Sequence, residues 1–342
     1  MCSFVRSVLW RYDKNGIIPN NRKENDMEIL KLDAPCKDYI WGGNRLREEY
    51  GKVSSADKIA ESWELSCHKD GQSVIANGSY KGKTLSQYLA DNKSALGTAC
   101  DRFEYFPILI KLIDAKDNLS VQVHPDNDYA MRVEGEYGKT EMWYIVDCEE
   151  GAQLIYGFDK EISREEFADR IKNNTLLEVT NNVPVHKGDV FFIESGTLHA
   201  IGKGILIAEI QQNSNTTYRV YDYGRVGKDG KPRELHIEKA IDVTELCPPK
   251  YDTKPQGSPE KIEGGEKTLL RTCEYFDVHK IRVNDTVTLN ADEKSFHSLL
   301  VLDGEGKIGG IAAKKGDSFF VPAGFGEYTV LGSLEVILSD IV

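Results

Sequence analysis

Four side chains in this sequence have the types and the spacing of a metal site: Gln122, His124, Glu141 and His199. Gln122 and His124 stand two apart in Leu119-Ser-Val-Gln-Val-His-Pro125. On a strand both therefore leave one face, about 7 Å apart at the backbone, while Val121 and Val123 turn the other way into packing. Glu141 follows 17 residues after His124 (141 − 124), at the start of an apolar run, and His199 lies 58 further on (199 − 141). Two imidazoles, a carboxylate and an amide oxygen form a borderline-hard donor set. It suits zinc first, and also manganese, iron or cobalt, better than a soft thiolate metal. Each residue alone reads as an ordinary strand or surface group, and only the set implies one Zn2+ per chain.

Cations gather on the same segments. Lys139 is two residues before Glu141 and shares its strand face if the strand reaches that far. Arg219 follows His199 by 20 residues (219 − 199), and Arg225 follows Arg219 by six (225 − 219). Between them runs Glu209-Ile-Gln-Gln-Asn-Ser-Asn-Thr-Thr-Tyr-Arg219, too polar for a core strand and suited to a pocket for hydroxyls and phosphate.

The elements that must position these groups are mostly strands. Short apolar runs at 107–113, 119–123, 142–146, 190–193 and 205–211 are closely spaced with few helices between them, which predicts an antiparallel sandwich or barrel rather than a βαβ sheet. Helical spacing appears at 84–103, through Leu85, Tyr88, Leu89 and Leu96. It appears again at 163–172, where Ser163 and Glu166 form a capping-box pattern.

One motif occurs twice. Gly188-Asp-Val-Phe-Phe-Ile-Glu-Ser-Gly196 aligns with Gly316-Asp-Ser-Phe-Phe-Val-Pro-Ala-Gly324, the turn-strand-turn of a cupin. Three residues past the last glycine the first copy has His199 and the second Glu327, and upstream Glu141 aligns with His297. The expected fold is mainly β, two cupin (jelly-roll) halves with a small helical insertion. Residues 27–247 form the catalytic half, 248–265 a Pro/Gly/Lys/Glu-rich linker, and 266–342 a degenerate second half without a Gln-x-His pair, in which His297 and Glu327 are structural. Residues 1–26 are expected to be a disordered, dispensable leader, because strand-like alternation begins only at Met27.

The chain of 342 residues carries 43 basic and 55 acidic side chains, a formal charge of −12, which argues against general attraction to nucleic acid or anionic membrane. No apolar run approaches the ~20 residues of a membrane span. Seven cysteines are scattered without a C-x-x-C pair, so they read as reduced thiols in the cytoplasm rather than a disulfide framework.

Leu119-Ser-Val-Gln-Val-His-Pro-Asp126, Gly138-Lys-Thr-Glu-Met-Trp-Tyr144, Gly196-Thr-Leu-His-Ala-Ile-Gly202 and the run from Glu209 to Arg219 resemble type I mannose-6-phosphate isomerases of the short bacterial form, over essentially 27–342. The resemblance implies zinc ligands at Gln122, His124, Glu141 and His199, a catalytic arginine at Arg219, and substrate-pocket positions at Lys111, Ser120, Lys139 and Arg225. Two departures stand out. Lys139-Thr-Glu141 replaces the Lys-Pro-Glu of long eukaryotic members, and there is little room for their large helical insertion.

The implied reaction interconverts mannose 6-phosphate and fructose 6-phosphate through an enediol. Arg219 would pair with the developing oxyanion or hold the phosphate. The proton carrier stays open among Glu209, Lys139, metal-bound water and His68, the last reading as a surface residue. The competing classes are a non-catalytic sugar-phosphate-binding bicupin and a metal cupin oxygenase. The partner is a small molecule, and the chain is a monomer or a dimer.

Overall fold

The computed structural model describes residues 27–227 and 230–342, together with the backbone of a short strand pair, Arg11–Asp13 with Gly16–Ile18. Apart from that pair, the leader expected over 1–26 lies outside the described residues. The fold is mainly β, in two antiparallel barrels.

The first barrel joins two sheets. One has six strands in the order Val190–Ile193, Glu141–Cys148, Ile205–Gln212, Ile108–Ala115, Glu61–Leu65, Cys36–Lys37. The other has five, in the order Thr180–Pro184, Gln153–Phe158, His199–Ala200, Val121–Val123, Tyr218–Tyr221.

Side-chain alternation decides what faces the barrel interior. On the six-stranded sheet Met142, Tyr144, Ala208, Ile210, Ile110 and Leu112 turn outward into a core that also holds Phe320 and Ile337 of the second barrel. Trp143, Ile145, Ile207 and Ile113 turn inward against Leu154, Tyr156 and Ile201 of the facing sheet. The same alternation sends Glu141, Glu209, Gln211 and Lys111 inward, all buried. The interior is thus apolar at one end and charged at the other.

The repeated motif takes equivalent places in the two barrels. Val190–Ile193 pairs with Glu141–Cys148, and Ser318–Val321 pairs with His297–Ile308. Glu141 lies opposite Ile193 as His297 lies opposite Val321. The flanking glycines Gly188, Gly196, Gly316 and Gly324 have φ of 94°, 87°, 88° and 76°, a region closed to most L side chains.

Two features depart from a simple reading of the chain in halves. Leu30–Asp33, read as part of the first half, pairs with Ser318–Val321 and belongs to the ten-stranded sheet of the second barrel. Glu260–Ile262, inside the segment expected to be a linker, pairs with Gly265–Thr272. The helical text over 84–103 is the helix Leu85–Asp91, closed by a Thr84/Gln87 capping box, followed by two 3-10 turns at Lys93–Leu96 and Thr98–Arg102. Ser163 caps Arg164–Lys172. Among the described residues no helix is long and apolar enough to cross a membrane.

Candidate metal centre and substrate cavity

Val121–Val123 carries Gln122 between two partners. Its Cα is in register with His199 on one neighbouring strand and with Arg219 on the other. His124, just past that strand, and Glu141, opening its own, reach the same point. The His124 and His199 ring centroids are 4.7 Å apart. His199 Nε2 is 3.4 Å from Glu141 Oε1 and 3.4 Å from the Gln122 amide nitrogen Nε2, and His124 Nε2 is 3.7 Å from Glu141 Oε2.

Backbone carbonyls set the histidine tautomers. His124 Nδ1 lies 2.9 Å from Thr216 O and His199 Nδ1 2.8 Å from Thr197 O, so each Nδ1–H donates outward and each Nε2 turns a lone pair inward. Burial and then Lys139 hold His124 well below the usual imidazole range, and burial pulls His199 down to about 3, so both rings are neutral.

His124, Glu141 and His199 each offer one ligand atom within 4.8 Å of the other two. Atoms around a tetrahedral ion with bonds of about 2.1 Å stand about 3.4 Å apart, close to the spacings here. Both Glu141 oxygens are buried and receive no hydrogen bond from the protein. Lys139 Nζ stands 2.5 Å from Glu141 Oε2, an ion pair outside hydrogen-bond geometry, and 3.2 Å from His124 Nε2. Two fixed lone pairs and a buried carboxylate paired with Lys139 fit a divalent ion. This is the one such group among the described residues.

Beside the cluster opens a cavity of about 260 Å³, whose walls include Lys111, Ser120, Gln122, Lys139, Glu209 and Arg219. Glu209 Oε1 is 3.0 Å from Lys111 Nζ and 3.8 Å from Lys139 Nζ, and Trp143 Nε1 donates to its other oxygen at 2.9 Å. Burial opposes the Glu209 charge, but Lys111 and Lys139 outweigh it and draw the carboxyl down to about 2. Burial followed by Glu209 pushes Glu141 up. Arg219 donates from Nε to Ser120 Oγ at 3.2 Å and from Nη1 to Glu234 O at 2.9 Å, with burial and then Arg233 lowering its pKa.

Arg225 is not brought to this cavity. Asp222 holds its guanidinium from one side and Asn118 O accepts from the other. Arg233 reaches the cavity instead, its Nε 2.8 Å from Asp222 Oδ2. No sequence signal marked Arg233, which follows a Lys-Pro pair in loop text. Tyr39 and Trp41 also line the cavity, from the irregular segment and turn that follow Cys36–Lys37.

His68 departs from its reading as a surface residue. It is 5% exposed, edge-on to Trp63 with centroids 5.7 Å apart, yet outside the cavity wall. His297 and Glu327 do not meet either. His297 Nδ1 is 2.8 Å from the Tyr328 hydroxyl, while Glu327 is exposed on the opposite face of that strand.

Fold and site together define a two-barrel cupin with a metal-competent cluster in one barrel only. The family model for the phosphomannose isomerase type I catalytic domain matches residues 29–151, and that for the mannose-6-phosphate isomerase cupin domain matches 265–341. Mannose-6-phosphate isomerase of Streptococcus mutans is 41% identical over 316 residues, 91% of this chain and 98% of its own length. Mannose-6-phosphate isomerase ManA of Bacillus subtilis is 41% identical over 319 residues, 92% and 99% of the two chains. The chain belongs to the type I phosphomannose isomerase family and is an isomerase.

The crystal structure of mannose 6-phosphate isomerase from Bacillus subtilis superposes with a TM-score of 0.85 at 37% identity, covering 91% of this chain and 99% of that one. The apo form of the Salmonella typhimurium mannose 6-phosphate isomerase shares the fold, with a TM-score of 0.70 at 16% identity over 91% and 98% of the chains.

Proposed function

We propose that this enzyme interconverts mannose 6-phosphate and fructose 6-phosphate, with one zinc ion held by Gln122, His124, Glu141 and His199. The observation that carries the proposal is the meeting of His124, Glu141 and His199 directly beside Gln122 and Lys139, which line a cavity that also presents Lys111, Arg219, Arg233, Ser120 and Glu209. When bound, the ion supplies Lewis acidity toward the sugar's carbonyl and hydroxyl oxygens.

The chain's own groups do the rest. Arg219 and Arg233, with the Ser120 hydroxyl, form a fork-shaped dicationic end suited to a phosphate dianion. A linear hexose anchored there extends its C1–C2 end toward Lys139 and Glu209. The base lifts the proton from C2, the enediol forms, and the same proton equivalent returns at C1 while the C1 carbonyl oxygen gains a proton and the C2 hydroxyl loses one. Glu209, ionised and 3.8 Å from Lys139 Nζ, and Lys139 itself form the pair that carries it. Lys111 keeps Glu209 ionised. Trp41 and Tyr39 cover the sugar's apolar face.

The six described cysteines are all free thiols, which supports a reducing, cytoplasmic setting. The test is a coupled assay for fructose 6-phosphate formed from mannose 6-phosphate, run before chelation, after chelation, and with zinc, manganese or cobalt added back singly. No turnover in the metal-loaded enzyme would overturn the reading.

A further inference from the structure

A second cavity lies at the junction of the barrels, behind the metal cluster. It measures about 460 Å³, and its walls come from the first barrel (Thr140, Ser195, Thr197), from the connecting segment (Lys250, Tyr251) and from the second barrel (Arg271). That volume falls within the range of small-molecule sites.

Arg271 is its distinctive group. The guanidinium carbon sits 4.0 Å from the ring centroids of both Phe192 and Tyr251, and those rings meet at 78°, so the group is seated in an aromatic corner. Its Nε is buried and donates to no protein acceptor, and no carboxylate among the described residues pairs with it. Rings at the faces leave only the in-plane N–H edge to bind, and that edge matches a carboxylate or phosphate. A buried donor without an acceptor carries a desolvation penalty that such an anion would relieve.

The rest of the lining asks for more than a bare anion. Glu194 accepts from the Tyr251 hydroxyl at 3.1 Å and pairs with Lys250 at 3.5 Å, and Thr140, Ser195 and Thr272 bring hydroxyls. Carboxylate acceptors and hydroxyls around one cationic fork suit a ligand with an anionic head and several hydroxyl groups.

We propose that the barrel-junction cavity is a second, non-catalytic ligand site for a small polyhydroxylated anion, with Arg271 as its anchor. Its occupant lies against Thr197, whose carbonyl fixes the His199 tautomer, and against Thr140, next in sequence to Glu141. The site is therefore in direct contact with the supports of two members of the metal cluster.

The test is calorimetric titration of the full chain with inorganic phosphate, gluconate and acetate, read without any activity and so separable from the isomerase assignment. Four proteins are compared: the parent, Arg219→Leu, Arg271→Leu and Arg271→Lys. Arg219→Leu disables the anion end of the active cavity. Arg271→Lys keeps the charge and the aliphatic stem in the ring corner while removing the fork, so it decides the matter if Arg271→Leu fails to fold.

The expected result is two components of gluconate and phosphate binding in the parent, one lost in Arg219→Leu, the other surviving there and weakening about tenfold or more in the Arg271 variants. Gluconate should bind about tenfold tighter than acetate, reflecting the hydroxyl contacts. Binding lost in Arg219→Leu but kept in the Arg271 variants overturns the proposal, as does equal affinity for gluconate and acetate or no saturable binding in the parent.

Discussion

Lys111 Nζ and Glu209 Oε1 face each other at 3.0 Å across neighbouring strands, with side chains 5% and 3% exposed. Removing Lys111 takes away the nearest cation of Glu209 and leaves that buried carboxylate to Trp143 and the more distant Lys139. Lys111→Met is therefore expected to destabilise the fold by about 3–5 kcal/mol, with Lys111→Met/Glu209→Gln recovering much of that loss. Urea denaturation of the single and double variants measures the coupling, and additive losses would refute it.

Arg219 is anchored by Ser120 and Glu234 rather than by any member of the metal cluster. Arg219→Ala is expected to lower kcat/KM on the order of 10²-fold, the scale of misplacing the reacting carbons when a remote phosphate anchor is lost. Bound metal, measured by mass spectrometry, should stay at the parent level. Unchanged turnover would remove Arg219 from the chemistry.

Asp222 holds both Arg225 and Arg233, but only Arg233 reaches the cavity. Arg233→Ala should raise KM for mannose 6-phosphate by about tenfold or more, the scale of one lost charge-assisted hydrogen bond. Arg225→Ala should raise it far less. The reverse order in steady-state kinetics would return the phosphate to Arg225.

His199→Ala removes an imidazole whose Nε2 is fixed toward Glu141. Metal retained after dialysis should fall by roughly tenfold or more, with activity falling in parallel. Metal retained at the parent level would exclude His199 as a ligand.

In the second barrel, burial and then the neighbouring Asp277 raise the Asp340 carboxyl from the ordinary 3.8 to about 7. The folded state holds this proton where the unfolded chain has lost it, so stability falls as pH rises from about 4 to about 7. Asp340→Asn removes the penalty. Its gain over the parent should be near zero at pH 4 and on the order of 2–4 kcal/mol at pH 8, by chemical denaturation. A gain independent of pH would contradict the assignment.

The sequence was most readable where chemistry and strand period coincide. Gln122 and His124 were legible because a spacing of two means one face, and Glu141 because it opens an alternating run whose inner members are Trp143 and Ile145. The repeated glycine-bounded motif disclosed the two barrels because its turns demand a backbone conformation few residues accept.

What stayed hidden depends on contacts that no strand or helix period announces. Arg233 arrives by a loop, where no period applies. His68 sits among polar neighbours, and its burial comes from Trp63 five residues earlier (68 − 63). The helix Asn127–Val133, capped by Asp126, buries only Ala130 and left no apolar stripe to read.

The strand Leu30–Asp33 meets Ser318–Val321 across nearly the whole length of the polypeptide. During synthesis the second barrel must wait for its last strands before this early segment finds its place, so Leu30 and Leu32 stay without their final shelter until translation ends. A fragment ending at the connecting segment would keep Leu32 paired with Ile75 but leave one edge of this strand without its Ser318–Val321 neighbour.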